Sequence, residues 1–190
     1  TALPQATPAL QALHDWAAAQ GRLPLAHACA RMATCNPAGL LAVLAGPTGE
    51  RNVYRVQSRQ RVLCRVGAHA GAEDDALLQI AAVLAVGSSA LLPASAADLY
   101  ARLPVAVQAA LVLVGEGAPV EADAALLHGS AQDALALAAQ LAAQPGPIVT
   151  LTALPPGATE VPLARLITER SVSTNTAAAG GNASLMTLEA

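Results

Sequence analysis

Two glycine turns are the places in this 190-residue chain where backbone could meet a phosphate. The first reads Gly67-Ala68-His69-Ala70-Gly71-Ala72 and runs straight into Glu73-Asp74-Asp75. Glycine lets main-chain amides approach a pyrophosphate at a helix start, but three carboxylates at that start repel one. The second, Leu127-His128-Gly129-Ser130, opens an Ala- and Leu-rich segment and has the better shape for a cradle. A plain helix cap by Ser130 explains it as well. Hydrolytic chemistry needs a nucleophile, a base and an orienting acid within reach of one another. His14, His27, His69 and His128 fall in separate segments, no serine sits in Gly-x-Ser-x-Gly, and Asp74 and Asp75 are adjacent rather than facing. The cysteines, Cys29, Cys35 and Cys64, are odd in number and fit free thiols in a reducing compartment. With His27 they match no zinc spacing. These residues predict no catalytic constellation, no metal site and no cofactor in this domain, with Gly129 and Ser130 as the alternative, a residual NAD contact.

Charge narrows the partners. The formal net charge is -3, and every basic residue is arginine. Arg51, Arg55, Arg59, Arg61 and Arg65 cluster within fifteen residues, while Glu73 to Asp133 carries eight acids against Arg102 alone. Arginines on a strand pair are ordinarily solvated, and without interleaved aromatics this patch is not expected to bind nucleic acid. Gly, Pro or charge interrupts every apolar run before the ~18 residues a membrane span needs, and no basic region precedes an apolar one at the start. A soluble, cytoplasmic protein, or a piece of one, is expected.

The elements that would hold these turns follow from pattern. Thr7-Pro8 starts a helix that Gly21 ends, and a second runs from Pro24 to Asn36-Pro37. Gly39 to Ala45 and Asn52 to Gln57 flank Gly46-Pro47-Thr48-Gly49 as a hairpin. From residue 61, strands at 62–66, 90–92, 111–114, 124–127 and 148–151 alternate with helices at 73–86, 95–102 and 131–143. Alternation implies helical crossovers and parallel pairing. The fold class is α/β: a Rossmann-like parallel sheet with helices on both faces, plus a β-hairpin flap and an extended C-terminal tail. The expected parts are N-terminal helices at 1–37, the flap at 38–60, the Rossmann-like core at 61–157 and a tail at 158–190. After Pro155-Pro156-Gly157 the pattern becomes irregular, with a short helical or extended stretch at 163–169 and then a tail without periodicity.

The run Leu84-Ala85-Val86-Gly87-Ser88-Ser89-Ala90-Leu91-Leu92-Pro93-Ala94-Ser95 and the later Asp123 to Ser130, helix, Pro147 to Leu151 resemble the cofactor domain of the aldehyde dehydrogenase superfamily. The departures matter. That family's ribose-binding Lys precedes a Pro, where Leu92 precedes Pro93, and the place of its oxyanion-hole Asn reads His69-Ala70-Gly71-Ala72. A domain carrying its nucleophilic Cys is not expected within these residues. The resemblance therefore implies the fold without the chemistry. Glu169 to Thr187, and the turn Gly46 to Asn52, closely resemble the carboxyl-terminal domain of the long forms of the bacterial proline utilization A family. That family oxidises proline to glutamate with FAD- and NAD-dependent domains on one chain. The resemblance implies a noncatalytic domain that supports the parent's semialdehyde dehydrogenase domain and closes a substrate tunnel, with the flap giving a homodimer. It also implies a docking tail using Asn175, Gly180, Gly181, Asn182, Leu185 and Met186, and a cytoplasmic parent, peripheral at the inner face of the bacterial membrane.

Overall fold

The computed structural model describes residues 6–115 and 119–176. It resolves into two compact units, one of Ser58–Thr168 with the chain up to Ala38, the other of Gly39–Gln57 with the chain from Glu169.

The first unit opens with α1 (Pro8–Ala19) and α2 (Leu23–Cys35). Thr7 caps α1 by accepting the Leu10 N–H at 3.2 Å, and its hydroxyl donates to Leu84 O at 2.8 Å, so one side chain starts the helix and ties it to another. In the second unit, β1 (Leu41–Leu44) and β2 (Glu50–Ser58) pair antiparallel with Val43 opposite Val53, as the Gly-Pro-Thr-Gly turn predicts.

Back in the first unit come β3 (Arg61–Val66), α3 (Ala72–Ala85), β4 (Ser89–Pro93), α4 (Ala97–Arg102), α5 (Val105–Gln108), β5 (Leu111–Val114), β6 (Ala124–His128), α6 (Ala131–Ala142) and β7 (Thr150–Leu154). The five strands form one parallel sheet in the order β5-β4-β3-β6-β7. All residues of β6 are buried, as a central parallel strand covered on both faces requires. Leu63, Leu91, Ala125 and Leu127 meet Leu137 and Leu141 of α6 on one face. Strand alternation turns Leu126 and His128 to the other, where α3 lies.

Three elements differ from expectation. β7 starts at Thr150, not Ile148, because Thr150 pairs with Ala124, the first residue of β6; Ile148 lies beyond the ladder and is 97% exposed. The single turn α5, opened by Pro104, is too short to leave a periodic signal. Residues 167–175, read as the end of a short stretch and the start of an irregular tail, form a nine-residue strand, β8 (Ile167–Asn175), the third strand of the sheet β1-β2-β8. Main-chain pairing, not side-chain alternation, makes this strand, so a periodicity test passes over it. No helix among the described residues is long and apolar enough to cross a membrane.

Candidate functional site

An open parallel sheet binds ligands where the strand order reverses, outside the carboxyl ends of its strands. Here that point lies between β3 and β6, whose crossovers leave in opposite directions. Both glycine turns end there. Gly67 N–H donates to His128 O at 2.7 Å, and Gly129 N–H donates to Leu154 O at 3.0 Å, stitching the turns to the strand ends.

The second turn carries a capping box. Ser130 Oγ accepts the Asp133 N–H at 3.2 Å, and Asp133 Oδ2 accepts the Ser130 N–H at 2.8 Å and the Ser130 hydroxyl at 2.7 Å. These hydrogen bonds, the hydroxyl's first, hold the Asp133 carboxyl below its usual range. A Cβ on Gly67 would stand 2.8 Å from Asp133 Oδ2, and one on Gly129 would stand 3.0 Å from the same oxygen. The carboxylate thus occupies the space the two glycines leave open, at the amide end of α6, where a phosphate oxygen would otherwise sit.

The first turn delivers acids. Gly71, at φ +90°, takes the left-handed backbone that brings Glu73, Asp74 and Asp75 into the opening turn of α3. Arg22 binds Glu73 and Asp74, and Arg102 binds Glu73 from α4. The Arg102 hydrogen bonds lower the Glu73 carboxyl, with burial opposing. Asp75, 4% exposed, turns inward: its Oδ2 accepts the Gly157 N–H at 2.9 Å and lies 3.1 Å from His69 Nε2 without hydrogen-bond alignment. Beside it, Gln79 Nε2 lies 2.8 Å from Arg65 O and 2.8 Å from His128 Nδ1, and His128 Nε2 lies 3.3 Å from Ala158 O. Both Gln79 and His128 are fully buried. A cleft of about 980 Å³ borders this cluster, walled by α2, by the start of α3 and by residues 157–160.

The histidines fall in separate elements, as the sequence predicts; the fold brings His69 and His128 to one switch point, places His27 on the α2 wall of the adjoining cleft and leaves His14 on α1. Burial pushes the Cys29 and Cys64 thiols up to about 12, far from thiolate reactivity, and Cys35 lies exposed at the end of α2. Among the described residues no cluster of three or more His, Cys, Asp or Glu could hold a metal ion. Gly129 and Ser130 sit in the capped turn, and Leu92 is buried in β4. Asn175 is the last residue of β8 and is exposed, whereas Gly180, Gly181, Asn182, Leu185 and Met186 lie outside the described residues. Asp133 and Gln79 were missed. Asp133 was legible as the fourth residue of Ser130-x-x-Asp133, and Gln79 as the one polar residue between Leu77 and Ala85.

No protein-family model matches the chain. It is 45% identical over 183 residues to bifunctional protein PutA of Salmonella typhimurium, an alignment covering 94% of this chain and 13% of that protein. The chain is homologous to one segment of PutA. It spans about one seventh of the length of the curated relatives it matches. Among solved structures, proline utilization A (PutA) from Bdellovibrio bacteriovorus inactivated by N-propargylglycine aligns with a TM-score of 0.55 at 12% identity, over 78% of this chain and 20% of that one. Indole-3-acetaldehyde dehydrogenase in its apo form aligns with a TM-score of 0.53 at 15% identity, over 68% of this chain and 33% of that one. Likenesses at this identity carry the fold, an aldehyde dehydrogenase-like α/β layer, and nothing finer.

Proposed function

We propose that this chain is a noncatalytic structural and interaction domain of a PutA-type parent, which would oxidise proline to glutamate with FAD and NAD bound in its other domains. In that parent it supports the semialdehyde dehydrogenase domain and closes the tunnel between the active sites. The flap sheet gives contact with a second copy, the segment that follows β8 docks on the dehydrogenase domain, and the parent works in the cytoplasm at the inner face of the membrane. The observation that carries the noncatalytic reading is Asp133: its carboxylate fills the cradle at the switch point, where a bound pyrophosphate would have to displace it. Glu73, Asp74 and Asp75 add like charge at the neighbouring helix start. Support for the parent's identity comes from the relatives that share 44–45% identity with nearly all of this chain.

Calorimetric titration of the chain with NAD separates this reading from a residual NAD-sensing module. The expected result is no saturable heat; saturable binding tighter than about 100 μM would overturn the scaffold. In the full-length parent, deleting the part of the 171–187 segment that follows β8, residues 177–187, should lower semialdehyde dehydrogenase activity and introduce a lag in glutamate formation, while proline oxidation is unchanged. Glutamate formed without lag at the parent rate would sink the docking role.

A further inference from the structure

One wall of the cleft, residues 157–160, is tied by two buried side chains, to the sheet by His128 of β6 and to α3 by Asp75. The proton arrangement in that tie follows from what each atom can do. Arg65 O and Ala158 O only accept. The amide of Gln79 must therefore present its nitrogen to Arg65 O, since presenting Oε1 would set two acceptors 2.8 Å apart. The second hydrogen on that nitrogen points to His128 Nδ1, also at 2.8 Å. Nδ1 is then the acceptor, the ring proton sits on Nε2, and Nε2–H donates to Ala158 O. A neutral ring in this one tautomer satisfies both of its contacts. A proton added at Nδ1 opposes N–H to N–H, so either Gln79 leaves Arg65 O or the ring leaves Gln79 and takes Ala158 with it.

We infer that His128 and Gln79 form an acid-released latch on residues 155–160, closed along the cleft while the ring is neutral and opened by one proton. Asp75 on α3 and His69 in the preceding loop are the titratable groups that face the ring. Arg65 on β3 turns its guanidinium to Cys64 O, and neither β7 nor residues 155–159 carry a charge. Asp75 attracts an imidazolium, and its Oδ2 is also the acceptor for Gly157 N–H, so a charged ring competes for the second anchor as well. Burial lowers the His128 pKa, against the pull of Asp75. A depressed folded-state value means that the unfolded chain takes up the proton first. The latch contributes in full above about 6.5, the ordinary imidazole value, and its contribution is lost as pH falls from there through the lower folded value.

Hydrogen exchange on the intact chain reads the latch at two amides, Gly157, bonded to Asp75 Oδ2, and Ala158, bonded to Pro155 O. Between pH 7.5 and 5 their protection factors should fall about tenfold relative to Leu63 and Leu126, the size expected for one buried hydrogen bond. His128→Phe should abolish the pH step. Nitrogen NMR of the unmodified chain at pH 7.5 should show the His128 ring protonated on Nε2. Protection that is independent of pH, a step that survives His128→Phe and so belongs to Asp75 or His69, or a ring protonated on Nδ1 would each overturn the latch. Should His128→Phe not fold, Gln79→Met takes its place: a thioether opposite Nδ1 opposes no donor to the added proton, the ring keeps its bond to Ala158 O when charged, and the step should disappear. A step left at its original pH in that variant refutes the role of Gln79.

Discussion

Replacing Gln79 by methionine tests whether the buried polar cluster holds the sheet to α3. The two side chains are similar in length and volume, so little cavity opens. What changes is hydrogen bonding. Gln79 Nε2 donates to Arg65 O and to His128 Nδ1, both at 2.8 Å, and the substitution takes that donor from the part-buried carbonyl and from the buried ring nitrogen. Each orphan costs about 1–3 kcal/mol. Against this, Gln79 Oε1 is itself buried without a partner in the structure, and removing it returns a similar amount for one group. Two penalties less one leave a net loss of about 2 kcal/mol, which for a chain of this size lowers the melting midpoint by about 4–8 °C. The assay is thermal unfolding at pH 7.5 by circular dichroism, with exposed Gln140→Met as a control expected within about 0.5 kcal/mol of the parent. If Gln79→Met were as stable as the parent chain or more so, the cluster would be a tolerated defect and the reasoning would fail.

Two further outcomes follow from the same structure. At pH 8 a chromogenic disulfide reagent should titrate Cys35 in the folded chain and reach Cys29 and Cys64, whose thiols are pushed up to about 12, only after denaturation; rapid reaction of more than one thiol contradicts their burial. Ser130→Ala should destabilise the chain by about 1 kcal/mol in urea unfolding through loss of the α6 cap, and a neutral result would mean the capping box contributes nothing.

Elements with a strong local signal were legible in the sequence. The strands at 62–66, 111–114 and 124–127 and the helix opening at Ser130 needed only apolar runs and turn residues; β6 is buried throughout, as a central parallel strand requires, while β5 at the sheet edge keeps the apolar run with Val112 and Leu113 exposed. β8 was not legible: between Ile167 and Asn175 the only apolar residue is Val172, which is exposed, so no alternation marks the strand, and it exists because β2 offers main-chain partners. The edge of β7 was misplaced by two residues because Ile148 and Val149 look like strand, while the ladder with β6 decides where strand begins. At the switch point, both glycine turns were found, but what fills them was not. At Gly67 that depends on Asp133 reaching over from the other crossover, a tertiary contact its own turn does not announce, whereas at Gly129 the Ser130-x-x-Asp133 spacing carried the signal.

The glycines themselves carry the last step. A glycine turn before a helix is ordinarily read as room for a phosphate, since only a missing Cβ lets an anionic oxygen approach main-chain amides so closely. Gly67 and Gly129 meet that requirement with an oxygen of the chain's own, because a methyl group at either position would stand within 3.0 Å of Asp133 Oδ2. The need for glycine is therefore explained without any ligand, and its presence cannot argue for one. What separates the two cases is the residue three places into the helix. A small neutral residue there leaves the amides to an external anion, whereas a carboxylate at that position, fixed by a serine cap, satisfies them permanently. The Ser130-x-x-Asp133 spacing thus converts a nucleotide-type turn into a closed structural joint, and it does so with the same interaction that starts α6.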